Sequence, residues 1–294
     1  MVNRRLGSVA IVLCVTPALV AGGCRGKQSA GESKPSVASA TASASAIVAR
    51  LKALPGSPLA AGMAVGFDAA PGGLKPNFLA ADMATEKRPA RVRLPAAAAA
   101  ALHLEDAASG VGVDVSTAGA ATAPAQSADG YVVYPNALGP GTSMLHRALP
   151  GGTEDFVAMD ARPATPQITY DLALGDGVAG LRLVAGTLEV LDSRGAPRLH
   201  VAPPYIVGAD GVSTSAALAV AGCAVDTDPA APWDRPVTAP GARHCTVRVN
   251  WPSGAVAYPA VLDPRWTTTG SMTTARQDHT MTLLATGKVL VAGG

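Results

Sequence analysis

"LRLVAGTLEVLDSRGAPRLHVAPP", residues Leu181–Pro204, decides the fold class. Leu181 and Leu183, then Leu188 and Val190, then Leu199 and Val201 stand at every second position, with Arg182, Glu189 and His200 between them. A period of two is the mark of a half-buried strand, because successive side chains of a strand point to opposite faces. "DSRGAP" from Asp192 separates two such runs with hairpin-type turn residues. The same alternation disposes of a dinucleotide site at "GDGVAG" (Gly175–Gly180), which satisfies G-x-G-x-x-G. That loop would have to open a helix whose N-terminus faces a pyrophosphate, and a strand pattern follows instead. A glycine-rich hairpin is the expectation there.

The pattern extends in both directions. "ARVRL" (Ala90–Leu94), "GVGVDVST" (Gly110–Thr117), "YVVYP" (Tyr131–Pro135), "TEDFVAMD" (Thr153–Asp160) and "QITYDLAL" (Gln167–Leu174) are strand-like, as are "SAALAVAG" (Ser215–Gly222), "CTVRVNW" (Cys245–Trp251) and "AVAYPAVLD" (Ala255–Asp263). "GADGVS" from Gly208 is a second hairpin-type connection. Many short strands with no long helical pattern between them predict an all-β fold, an antiparallel β-sandwich. The alanine run Ala96–Ala101 is helical by propensity, but its flanks "RVRLP" and "LHLED" read as a strand or a connection.

Composition agrees with short strands and frequent turns: 48% of residues are hydrophobic but only 4% aromatic, and Gly 32 with Pro 24 is a high share. Arg4 and Arg5 carry the whole net charge of +2, leaving 21 basic and 21 acidic residues in the rest. Nucleic-acid binding calls for a basic face. The densest basic run, "EKRPARVR" (Glu86–Arg93), reads as a solvated strand edge, so no nucleic-acid partner is expected.

At the N-terminus a basic start precedes the apolar run "LGSVAIVLCVTPALVA" (Leu6–Ala21), which Pro17 interrupts and which is short for a membrane span. "VAGGC", ending at Cys24, resembles the lipobox of bacterial lipoproteins, although Ala21 stands where leucine is commoner. The resemblance implies a signal peptide over 1–23, lipid attachment at Cys24, and a membrane partner through that anchor. Arg25 rather than Asp after the cysteine points to the outer membrane or cell surface. A plain secretory peptide is the alternative. Residues 24–57 are Ser/Ala-rich and read as a disordered, flexible tether, with a short helix suggested by Ile47, Leu51 and Leu54. Cys223 and Cys245 remain for an oxidising compartment and are expected to form a disulfide. The loop it closes would be stabilised by about 3.4 kcal/mol at most.

Signals for chemistry are weak. The histidines at 103, 146, 200, 244 and 279 form no metal-ligand spacing, and "DTDP" (Asp226–Pro229) reads as an Asx turn rather than a calcium loop. His146 with Glu154 and Asp155 is conceivable as an acid–base set, but strand alternation would turn these residues outward. No catalytic residue, cofactor or metal is expected. Trp233 in the disulfide loop is the one candidate for stacking on a sugar, and packing over the bridge is its more ordinary role.

Two longer resemblances complete the reading. "MLHRALPGGTEDFVAMDARPATPQITYDL" (Met144–Leu172) with "YPAVLDP" (Tyr258–Pro264) is similar to a β-rich module of bacterial surface proteins that often precedes repeat arrays, over residues 90–264. "WTTTGSMTTARQDHTMTLLATGKVLVAGG" (Trp266–Gly294) resembles the start of a kelch repeat, as in bacterial kelch-containing lipoproteins, through Trp266, Gly270, Arg276, His279, Gly287, Gly293 and Gly294. Its physical reading is one hairpin, with "ATGK" as the turn. A propeller needs four to eight blades, so the chain is expected to be truncated after the first half-blade. The implied organisation is a signal peptide (1–23), a tether (24–57), a β-sandwich (58–264) and a partial kelch repeat (265–294). The implied function is a non-enzymatic lipid-anchored stalk presenting a propeller to a protein or glycan. The exposed edge of the orphan hairpin invites self-association. The rival is a fragment of a kelch-propeller enzyme such as a copper-radical oxidase, whose tyrosines, histidines and cross-linked cysteine lie late in the propeller and are absent here.

Overall fold

A computed structural model describes residues 43–230, 235–269, 280–283 and 289–293. In chain order the elements begin with α1 (Ala44–Lys52), β1 (Gly66–Ala70), β2 (Gly73–Asn77), α2 (Ala80–Thr85), β3 (Ala90–Arg93), β4 (Leu102–Asp106) and β5 (Gly112–Thr117). Then come β6 (Gln126–Ala128), β7 (Tyr131–Tyr134), β8 (Thr142–Leu149), β9 (Gly152–Met159), β10 (Gln167–Leu174), β11 (Gly180–Val184), β12 (Thr187–Leu191) and β13 (Pro197–Val201). The last are β14 (Tyr205–Val207), β15 (Ser213–Ser215), β16 (Ala217–Ala221), β17 (His244–Asn250), β18 (Ala260–Asp263), β19 (Arg265–Thr268), β20 (Thr280–Leu283) and β21 (Val289–Ala292). The protein is predominantly β, and its strands pair antiparallel.

Six strands form one sheet in the order β16-β17-β10-β5-β4-β3, and eleven form a second sheet centred on β9. Leu104, Val113, Leu172 and Val247 from the first share a single apolar core with Met144, Val157, Leu188 and Trp266 from the second. The six-stranded sheet shows the alternation that the sequence predicts: β4 and β17 bury every second residue. Its other face is solvated, so polar side chains occupy it.

The eleven-stranded sheet differs, because α1 covers part of its other face. Ile47, Val48 and Leu51 pack with Tyr131, Val133, Leu145, Phe156 and Val261 in a second apolar cluster. Between these two cores β7 and β9 are buried along their whole length. Ser43 caps α1, its hydroxyl accepting from the Ala46 N–H. The helix is fastened by the ion pairs Arg50–Asp160, at 2.6 Å, and Lys52–Asp129. Beyond it, the carbonyls of Ala60 and Ala61 accept from the Tyr131 hydroxyl and the Arg147 guanidinium. Residues 44–57, placed by the sequence at the end of a tether, lie with residues 58–61 against the sheet as its cover.

β9 is the hub of pairing. One edge joins β8 along all eight residues, and the other is shared by β19 at Gly152–Glu154 and β18 at Val157–Met159. Where those two strands meet, the Asp155 N–H donates to the Pro264 carbonyl at 3.0 Å. Residues 265–268, assigned by the kelch resemblance to the repeat, therefore form a strand beside the hub. Among the described residues β20 and β21 pair only with each other, antiparallel, as the two strands of the expected hairpin would.

Several expectations change in detail. Leu181–Asp192 is not one strand but the β11–β12 hairpin, turned by Ala185 (φ 50°) and Gly186 (φ 75°). Gly175–Gly180 is no hairpin: it carries the chain from the six-stranded sheet to the other one, and β11 follows it. Ala96–Ala101 is a connection, held by a bridge between Ala97 and Pro124.

Gly152, where β9 begins, tests the hub. A Cβ there would stand 2.2 Å from the Trp266 carbonyl oxygen and 2.6 Å from Thr267 Cα, both backbone of β19. Gly152→Ala must push β19 away, so it is expected to cost about 3 kcal/mol, at the upper end of overpacking. Chemical denaturation of the folded variant measures that loss; an unchanged midpoint would refute the close approach.

Candidate functional site

The turn Pro150–Gly151 between β8 and β9 leaves Leu149 opposite Gly152, which puts His146 directly opposite Asp155. Both lie on the face turned toward the six-stranded sheet, alongside Met144 and Val157, and both are buried. His146 Nδ1 is 2.6 Å from Asp155 Oδ1, which also accepts from the Thr153 hydroxyl at 3.2 Å. The edge of one ring meets the face of the other between His146 and Tyr134, with centroids 5.4 Å apart. Tyr134 is fixed in turn by its hydroxyl donating to the Pro95 carbonyl at 2.6 Å.

Across the core, Tyr170 of β10 contributes a fully buried hydroxyl and meets the Trp266 ring at 5.9 Å in an edge-on arrangement. Burial, reinforced by the nearby carboxylates of Asp155 and Asp263, holds the Tyr170 phenol far above its ordinary pKa. His146 Nε2, Asp155 Oδ2 and the Tyr170 hydroxyl have no hydrogen-bond partner, and all three residues line a cavity of about 10 Å³. That volume is close to what one water needs, and it is far below the 300 Å³ or more of a small-molecule pocket. The His–Asp pair has the orientation of an acid–base dyad. In a cavity of this size the pair can orient one water.

On the opposite face of the large sheet lies a second polar group. The Tyr205 hydroxyl donates to Asp263 Oδ2 at 2.7 Å, while Asp263 Oδ1 is buried without a partner. Burial first, and then the neighbouring carboxylates Glu154 and Asp155, push the Asp263 carboxyl up to about 6; Tyr205 and Arg265 act in the other direction. Glu154 itself is held by Arg147 at 2.6 Å and Arg265 at 3.4 Å. Sequence alternation had turned His146, Glu154 and Asp155 outward. They are buried because both faces of β9 are covered here.

Of the residues singled out from the sequence, Cys223 and Cys245 are bonded, joining the end of β16 to β17. The loop between them is pinned by Arg182, which donates to the carbonyls of Asp228, Pro229 and Ala230 and pairs with Glu189. "DTDP" forms the expected Asx turns: Asp226 Oδ1 accepts from the Asp228 N–H and Asp228 Oδ1 from the Ala230 N–H. Trp266 lies in the shared core, and Gly293 follows β21 with φ 84°. Cys24, Trp233, Gly270, Arg276, His279, Gly287 and Gly294 lie outside the described residues. Among the described residues no group of three or more His, Cys, Asp or Glu could hold a metal ion, and no helix is long and apolar enough to cross a membrane. No protein-family model, curated protein or solved structure matches the chain.

The Asp263 carboxyl links folding to pH. Its folded pKa near 6 exceeds the ordinary 3.8, so its favourable contribution is complete below pH 3.8 and lost as pH rises through 6. Relative to the parent, Asp263→Asn is expected to gain up to about 3 kcal/mol between pH 4 and pH 7. Parallel denaturation series at both pH values measure the difference, and a gap that does not widen contradicts the assignment. The disulfide supplies another expectation. Cys223→Ser with Cys245→Ser should lower stability by at most about 3.4 kcal/mol while circular dichroism stays that of a β protein. Loss of the β spectrum would make the bridge a condition of folding.

Proposed function

We propose that the chain is an exported, lipid-anchored stalk: a β-sandwich of the two facing sheets that carries a kelch-type repeat for binding a protein or glycan. The observation that carries this reading is where its two connections attach. Helix α1 follows the tether and seals one face of β7–β9, while β19, which leads toward the β20–β21 hairpin, pairs with β9 on the same sheet. Both connections end on the same sheet, as suits a spacer that must keep its orientation. The water-sized cavity at His146–Asp155 supports a structural role for its polar groups, and the Cys223–Cys245 bond suits an oxidising compartment.

Attachment at Cys24 is the part of this proposal most directly open to test. Cells expressing the full chain and fed radiolabelled palmitate are expected to yield a labelled protein in the membrane fraction that detergent extracts. Cys24→Ala should abolish both the label and the membrane association. Unlabelled, freely soluble parent protein would rule out the anchor.

A further inference from the structure

The hairpin β1–β2 joins the six-stranded sheet beside β3 through a bridge between Leu74 and Leu94. Between β2, β3 and α2 lies a groove of about 440 Å³. Its floor is apolar, formed by Pro76, Phe78, Met83 and Val92. Its rim carries the cations Lys75, Arg91 and Arg93, with the His103 ring beside them. The size falls within the range of small-molecule sites, which are mostly apolar with a few placed polar groups.

The rim charges are not equivalent. Arg91 is held by Glu105, and His103 lies 2.8 Å from Asp114. Lys75 and Arg93 have no carboxylate within ion-pair distance among the described residues, although Asp68 stands opposite Lys75 in the hairpin register. Arg93 is nevertheless positioned, because its side chain lies across the glycine pair at the β1–β2 turn. A Cβ on Gly72 would come within 3.3 Å of Arg93 Nε, and one on Gly73 within 3.1 Å of Arg93 Cγ. Beside the groove, Leu79 at the start of α2 and Met83 within it are 57% and 39% exposed.

We propose that this groove binds a monomeric anionic amphiphile, a single acyl chain ending in a carboxylate. The chain would lie over Phe78, Met83 and Val92, with the carboxylate on Arg93 and Lys75. A concave apolar floor edged by Lys75 and Arg93, two cations outside any ion pair among the described residues, matches one chain with one anionic end, and Arg93 offers the fork that a carboxylate accepts in bidentate fashion. This inference is independent of the stalk proposal, since it concerns a free ligand and not the anchor.

The test is calorimetric titration of the full chain with dodecanoate below its micelle concentration. Saturable one-to-one binding is expected, weakened at least tenfold in the Lys75→Gln, Arg93→Gln double variant and in Met83→Glu. Lys75 and Met83 are exposed and Arg93 is half-buried, and unchanged melting curves would establish that the variants are folded. Butyrate, which lacks the chain, and dodecyl maltoside, which lacks the charge, should bind at least tenfold more weakly. Failure to saturate, equal affinity in the variants, or equal binding of the uncharged detergent would overturn the proposal. So would binding to phosphatidylglycerol vesicles without binding to dodecanoate monomer, which would make the groove a membrane contact.

Discussion

A strand buried on both faces has to satisfy two demands at once, and β9 meets them with an uneven sequence. Apolar Val157 and Met159 serve the inter-sheet core, and Phe156 and Ala158 serve the core under α1. The first half of the same strand is polar: Thr153, Glu154 and Asp155 are all buried. A buried charge is tolerable only when paired, so the rest of the sheet is arranged around these carboxylates. His146 answers Asp155 from β8, while Arg147 and Arg265 answer Glu154 from the strands on either side. The apolar half supplies burial energy, and the polar half fixes register. A slip of one residue between β8 and β9 would strand His146 and Asp155 on opposite faces.

Asp263 is the point at which this compensation is incomplete. One oxygen has Tyr205 and the other has none, and two further carboxylates stand near. The Asp263 carboxyl therefore stays protonated under mildly acidic conditions. A polar cluster of this kind favours one arrangement of β9, β14 and β18 more than it stabilises the fold as a whole.

Legibility in the sequence followed exposure. Where one sheet face is wet, as in β5 and β17, alternation was plain and the strands were placed well. Where both faces are covered, polar residues of β8 and β9 were read as outward-facing, because a period of two says nothing about what covers the second face. The cover, α1, was visible only as three apolar residues at helical spacing. The His146–Asp155 pairing did have a signal. A two-residue Pro150–Gly151 turn sets the register of the flanking strands and places these residues opposite each other. The apolar groove had none, since it depends on how a hairpin distant from any motif leans on an edge strand.

The double kink beside the hub has a mechanical consequence. Pro264 separates β18 from β19, and Pro203–Pro204 separates β13 from β14 on the neighbouring path, so the sheet forks into two branches at this level. β19 is gripped on one edge by β9 and on the other by β13. Tension applied along β19 loads both sets of bonds in shear, and they must fail together rather than unzip one at a time. The β14–β15 branch lies outside that line of force. The break thus separates a strand path that transmits pull from one that stays unloaded, within a single sheet.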